Sequence, residues 1–130
     1  MLLRILTAAT LLSVTMIAAD SIGTGNYKGT WTGAASSGDF RITVRPDGKG
    51  GLGADVAFTI EGQEVPCKVT SLKIDGPNIA VVYDFDLQGN KLQSAIKGTL
   101  KGMTLEGTYK TTAAGADSAV DAGSWKTTTQ

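Results

Sequence analysis

From Tyr27 onward, apolar and polar residues alternate with a period of two, broken at short intervals by clusters of Gly, Pro, Asn, Asp and Ser. That period places successive side chains on opposite faces of an extended chain, so each run predicts a half-buried β-strand. The first run sets Tyr27, Gly29 and Trp31 against Lys28, Thr30 and Thr32; the second sets Phe40, Ile42 and Val44 against Arg41, Thr43 and Arg45. Beyond the breaker cluster 46–51, Leu52, Ala54, Val56, Phe58 and Ile60 alternate with Asp55, Ala57, Thr59 and Glu61.

A fourth run changes parity. Val65, Cys67 and Val69 share one face, whereas Leu72 and Ile74 fall on the other. One extra residue near Thr70-Ser71, a β-bulge, reconciles them. The fifth run carries Ile79, Val81, Tyr83, Phe85 and Leu87 inward, and the sixth Leu92, Ile96, Gly98 and Leu100. Lys101-Gly102 reads as a tight two-residue connection into a seventh run, with Met103, Leu105, Gly107 and Tyr109 inward. Residues 111–122, rich in Ala and Gly, read as a mobile loop before a last run over 123–129.

All eight aromatic residues fall in the inward register of these eight runs. Short strands joined by tight turns predict an all-β fold, an eight-stranded antiparallel up-and-down β-barrel, with the eighth strand closing on the first. Four echoes of one triplet lie along the contiguous wall that results: Gly29-Thr30-Trp31, Gly98-Thr99-Leu100, Gly107-Thr108-Tyr109 and Gly123-Ser124-Trp125. In each, an inward glycine leaves a gap beside a large inward side chain, as a strongly curved sheet requires.

The N-terminus follows a different pattern. A basic start at Arg4 precedes an uncharged, mostly apolar run over 5–19 that ends in Ala18-Ala19, which reads as a secretory signal peptide and is short for a bilayer span. The expected division is a signal peptide over 1–19, a flexible segment over 20–26 and one barrel domain over 27–130. Without Arg4 the chain carries 11 basic and 12 acidic residues, so no basic footprint for nucleic acid is present. Cys67 is the single cysteine, which excludes an internal disulfide, and no cysteine stands near position 20 for lipid attachment. An exported protein, periplasmic or extracellular, is expected.

The opening stretch carries a resemblance. Gly29-Thr30-Trp31, then Phe40-Arg41-Ile42-Thr43-Val44, then Asp47-Gly48 with Leu52-Gly53, resembles the start of the calycin barrels, the avidin and lipocalin group, and the avidins in particular. The resemblance implies a barrel with a ligand cup at one end, in which Ser37 matches the serine that avidins carry after their first strand. The asparagine that avidins place two residues after the tryptophan falls on Gly33, no tyrosine follows the Asp-Gly turn, and Trp125 is the only second indole. The biotin-binding residues therefore do not carry over.

Candidate chemistry is sparse. The chain has no histidine, which removes the commonest general base and metal ligand together with every Ser-His or Cys-His nucleophile. No catalytic residue, metal site or cofactor is expected. Gly48-Lys49-Gly50-Gly51-Leu52-Gly53 spells G-x-G-x-x-G but runs into a strand instead of a helix, so it lacks the helix N-terminus that binds pyrophosphate. Asp84 to Asn90 begins like a calcium loop, yet Ala95 stands where the bidentate glutamate belongs. Cys67, inward beside Pro66, reads as a buried structural thiol.

Trp31, Tyr83, Tyr109 and Trp125 either fill the barrel or line a pocket at its mouth. The expected function is a non-catalytic binding barrel for a small apolar molecule, with Trp31, Ser37, Tyr83, Tyr109 and Trp125 as ligand-binding residues. An alternative is a barrel that binds another exported protein, such as an inhibitor of an exported hydrolase, through 20–26 or 111–122. A further alternative, a small outer-membrane barrel, would need reversed faces, with the aromatic residues against lipid and the charges in the lumen; the lack of long loops and the polar end at Gln130 argue against it.

Overall fold

The computed structural model describes residues 21–113, 116 and 118–130, and the expected signal peptide over 1–19 lies outside them. The described chain is all-β: β1 (Gly25–Thr32), β2 (Ser37–Pro46), β3 (Leu52–Ile60), β4 (Gln63–Pro66), β5 (Lys68–Asp75), β6 (Asn78–Leu87), β7 (Asn90–Lys101), β8 (Thr104–Ala113) and β9 (Ala119–Thr129). One antiparallel sheet takes the order β4-β3-β2-β1-β9-β8-β7-β6-β5, so the last strand does pair with the first, Trp31 standing opposite Trp125.

Nine strands appear where eight runs were read, because the fourth run divides at Cys67. Its first part pairs with β3 and its second with β6. Pro66, without an N–H, cannot extend a ladder on both sides, and the chain changes partner there. The two edges of the sheet are thus consecutive pieces of one extended segment, and a nearly closed barrel results. The expected bulge is present, as a register shift between Val69 and Ser71.

Turn chemistry sets the registers. Glu61-Gly62 (φ 52° and 80°) and Gln88-Gly89 (φ 53° and 82°) place both central residues at positive φ, the type I′ form whose twist matches the flanking strands. The β7–β8 connection is Gly102-Met103 instead of Lys101-Gly102, since Lys101 pairs with Thr104. Met103 consequently sits on the turn, 68% exposed, and not inward as its parity suggested.

All eight aromatic side chains point inward; seven are buried and Tyr109 is half-buried. Apart from Asp121, the strand charges stand at outward positions, with Arg45 paired to Asp55 at 2.8 Å and Arg41 to Glu64 at 3.7 Å. The reversed arrangement, aromatic residues outward, is not adopted. The stretch 111–122 is not simply a loop: β8 continues through Ala113, β9 begins at Ala119, and Thr111 pairs with Asp121. A register shift between Thr111 and Thr112 accounts for the interrupted alternation that concealed these strands.

At one end of the barrel the segment ahead of β1 packs onto the core. Ile22, ahead of β1, is buried, and its N–H donates to Gly76 O at 3.0 Å. Tyr27 donates its hydroxyl to Gly23 O at 3.3 Å, and Leu105 and Thr127 are buried nearby in sequence register. At the β2–β3 tip, the Asp47 carboxylate accepts the backbone N–H groups of Lys49 and Gly51, so the G-x-G-x-x-G stretch is a hairpin turn held by its own aspartate.

Candidate functional site

A cavity of about 310 Å³ occupies the barrel interior at the opposite end. Its wall is aromatic because the inward positions of six strands converge on it: Trp31 from β1, Phe40 from β2, Phe58 from β3, Tyr83 and Phe85 from β6, Tyr109 from β8 and Trp125 from β9. Strand-end and turn residues, among them Ser36, Ile60, Leu87 and Val120, form the rim.

The rings brace one another. Trp31 meets Phe58 and Tyr109 edge to face, with centroids 6.1 and 6.0 Å apart and interplanar angles of 88° and 89°. Phe58 meets Phe85 at 5.0 Å and 83°. Such T-shaped contacts point the positive edge of one ring at the negative face of another. The indoles also tie strands together: Trp31 Nε1 donates to Thr59 O at 2.9 Å, and Trp125 Nε1 to Thr108 O at 3.1 Å.

The inward glycines make room for this. A Cβ on Gly98 would stand 2.5 Å from Trp125 Cζ2, so the indole lies directly over that position. At Gly107 a Cβ would collide with the carbonyl of Lys97 on the neighbouring strand, a close approach that only glycine permits. The glycine wall thus lets the rings pack and the sheet curve, and it does not itself line the cavity.

A polar row crosses the apolar wall. Tyr83, Ser94, Thr111 and Asp121 are successive cross-strand partners on β6, β7, β8 and β9, and all four line the cavity. Ser94 and Thr111 are buried, their hydroxyl oxygens 2.5 Å apart. Asp121 Oδ2 accepts the Tyr109 hydroxyl at 2.6 Å, while Asp121 Oδ1 accepts the Ala34 N–H at 3.4 Å. Burial raises the pKa of the Tyr83 phenol above the usual tyrosine value, with a smaller contribution from the adjacent Cys67 and a partial offset from Ser94. Burial likewise raises Tyr109, reinforced by the hydrogen bond to Asp121 and by its charge. Both phenols are neutral at pH 7 and able to donate.

Of the residues expected to bind a ligand, Trp31, Tyr83, Tyr109 and Trp125 line the cavity together. Ser37 does not; it is exposed at the start of β2 in the outward register, and its neighbour Ser36 takes the place at the rim. Ser94, Thr111 and Asp121 were not singled out from the sequence. Ser94 shares the parity of Leu92 and Ile96, Thr111 that of Tyr109, and Asp121 that of Trp125, so inward polar residues were the available signal.

Elsewhere the candidates disperse. Asp84 accepts a bond from Gln93 at 2.9 Å and Asp86 lies 3.7 Å from Lys91, so these aspartates engage strand neighbours. Among the described residues no cluster of three or more His, Cys, Asp or Glu is arranged to hold a metal ion. Cys67 is half-buried, its Sγ 3.5 Å from Val65 O, and burial pushes its thiol up to about 12, with Glu64 adding to the rise. Comparison with protein-family models, with curated proteins and with solved structures returns no match.

Proposed function

We propose that this protein is an exported, non-catalytic binding barrel that holds one small, mainly apolar molecule in its aromatic cup. The observation that carries the reading is the cavity of about 310 Å³ walled by Trp31, Phe40, Phe58, Phe85 and Trp125. A filled barrel of this strand number has no such space, and small-molecule sites share this form, an apolar concavity with few polar groups. Its volume falls at the small end of ligand sites. Since a cavity of about 150 Å³ holds benzene, the guest has on the order of twelve non-hydrogen atoms. A relation to the calycins belongs to the same proposal, because a ligand cup at one barrel end is what that resemblance implies.

The test is native mass spectrometry of the exported protein, followed by solvent extraction and titration with naphthalene while Trp31 and Trp125 emission is recorded. The expected result is a copurified molecule of about 150–200 Da, or, for a bare protein, saturable change in the indole emission. A bare mass together with unchanged emission would overturn the reading in favour of a protein-interaction barrel.

A further inference from the structure

We infer that the guest is uncharged and carries one neutral oxygen, a hydroxyl or carbonyl, directed at the polar row of Tyr83, Ser94 and Thr111. This rests on the binding-cup reading and specifies its ligand class. Among the described residues the row is the only interruption of the apolar wall that is itself buried: Ser94 is 2% exposed, Tyr83 4% and Thr111 6%. Ser94 and Thr111 lie 2.5 Å apart, so one hydroxyl donates to the other. The accepting hydroxyl keeps its own proton, and the donor keeps unused lone pairs. Both line the cavity, and so does Tyr83 on the adjacent strand. A guest oxygen placed there gains a donor and acceptors already desolvated, whereas a hydrocarbon guest leaves them facing apolar surface.

Charge is disfavoured for separate reasons. Among the described lining residues there is no Lys or Arg, and Asp121 is the only ionisable group of formal charge. A carboxylate guest would be buried without a counter-ion, and beside a carboxylate. A cation would be desolvated with Asp121 as its one counter-ion among the described lining residues, a carboxylate at the rim that already accepts hydrogen bonds from Tyr109 and Ala34.

Calorimetric titration at pH 7 with naphthalene, 2-naphthol, 2-naphthoate and a naphthyl-trimethylammonium salt separates these possibilities on the wild-type chain alone. We expect 2-naphthol to bind about five- to tenfold tighter than naphthalene, the worth of one neutral hydrogen bond. Both charged analogues should bind at least about tenfold more weakly than 2-naphthol. A Tyr83→Phe, Ser94→Ala, Thr111→Val triple variant should bind naphthalene and lose the preference for 2-naphthol. If naphthalene equals 2-naphthol, or either charged analogue binds tightest, the inference is overturned while the binding cup stands. If all four fail to bind the wild-type protein, the cup reading itself falls and takes the inference with it.

Discussion

The Tyr109 hydroxyl donates to Asp121 Oδ2 at 2.6 Å, joining β8 to β9 at the rim, and Asp121 Oδ1 accepts the Ala34 N–H of the β1–β2 turn. One carboxylate therefore fastens three elements around the mouth. Gly33 fits beneath it only because it lacks a Cβ, which would run into the Tyr109 hydroxyl and Asp121.

Removing either partner should loosen the rim more than the barrel. Tyr109→Phe is expected to cost about 1 kcal/mol, below the roughly 1.5–3 kcal/mol of a buried bond to a charged group because the pair is partly solvated. Asp121→Ala, which also frees the turn, should cost more. Urea midpoints with an unchanged m-value would check the size, and amide exchange should quicken first at Ala34. Equal midpoints for both variants and the wild-type chain would show that the strap contributes nothing.

The glycine wall yields an ordering. Gly98→Ala sets a methyl against the Trp125 indole, a side chain able to shift, and should destabilise by about 1–3 kcal/mol while altering Trp125 emission. Gly107→Ala meets the Lys97 carbonyl and the Cα of Gly98 instead, so β7 and β8 must separate and the cost should exceed that of Gly98→Ala. Thermal unfolding of the two variants tests the ordering; a milder Gly107→Ala would show that the strands yield easily.

These glycines also mark how far alternation alone carries. The inward parity of Tyr27, Trp31, Phe40, Phe58, Tyr83, Phe85, Tyr109 and Trp125 was legible because a ring on the wrong face would expose a large apolar surface. The pairing of β9 with β1 followed from barrel closure. The polar row was not legible, because a hydroxyl such as Ser94 or Thr111 suits either face and only its neighbours decide. Asp121 keeps the parity of Trp125 but falls in the stretch 111–122 that reads as a loop, and Met103 was hidden by a turn one residue later than its parity implied. The division at Cys67 depends on β4 and β5 choosing different partners, a tertiary choice.

The Ser94–Thr111 contact should behave as a unit. Ser94→Ala and Thr111→Val each leave one buried hydroxyl without its partner, at about 1–2 kcal/mol apiece. The double variant replaces both by apolar groups and should cost clearly less than the sum. Denaturant melts of all four chains close the cycle, and simple additivity would mean that the two hydroxyls are not coupled.

Alkaline pH should undo the fold through groups that the barrel keeps neutral. Cys67 rises from 9.0 to about 12 through burial and the nearby Glu64, and Tyr83 and Tyr109 are also raised from 10.0, chiefly by burial. In the unfolded chain these groups lose their protons first, so between the unfolded and folded pKa values the unfolded state binds fewer protons and stability falls with rising pH. The contribution is complete below about pH 9, the unfolded thiol value, and is progressively lost as pH rises through 12. With no histidine in the chain, no imidazole transition should precede it. Urea midpoints measured from pH 6 to 11.5 are therefore expected to fall beyond about pH 9, and Cys67→Ala should flatten the first part of that fall. In the native wild-type chain iodoacetamide should modify Cys67 slowly at pH 8, and urea should accelerate the reaction. A midpoint unchanged up to pH 11.5 would mean that the thiol and the phenols titrate freely in the native barrel.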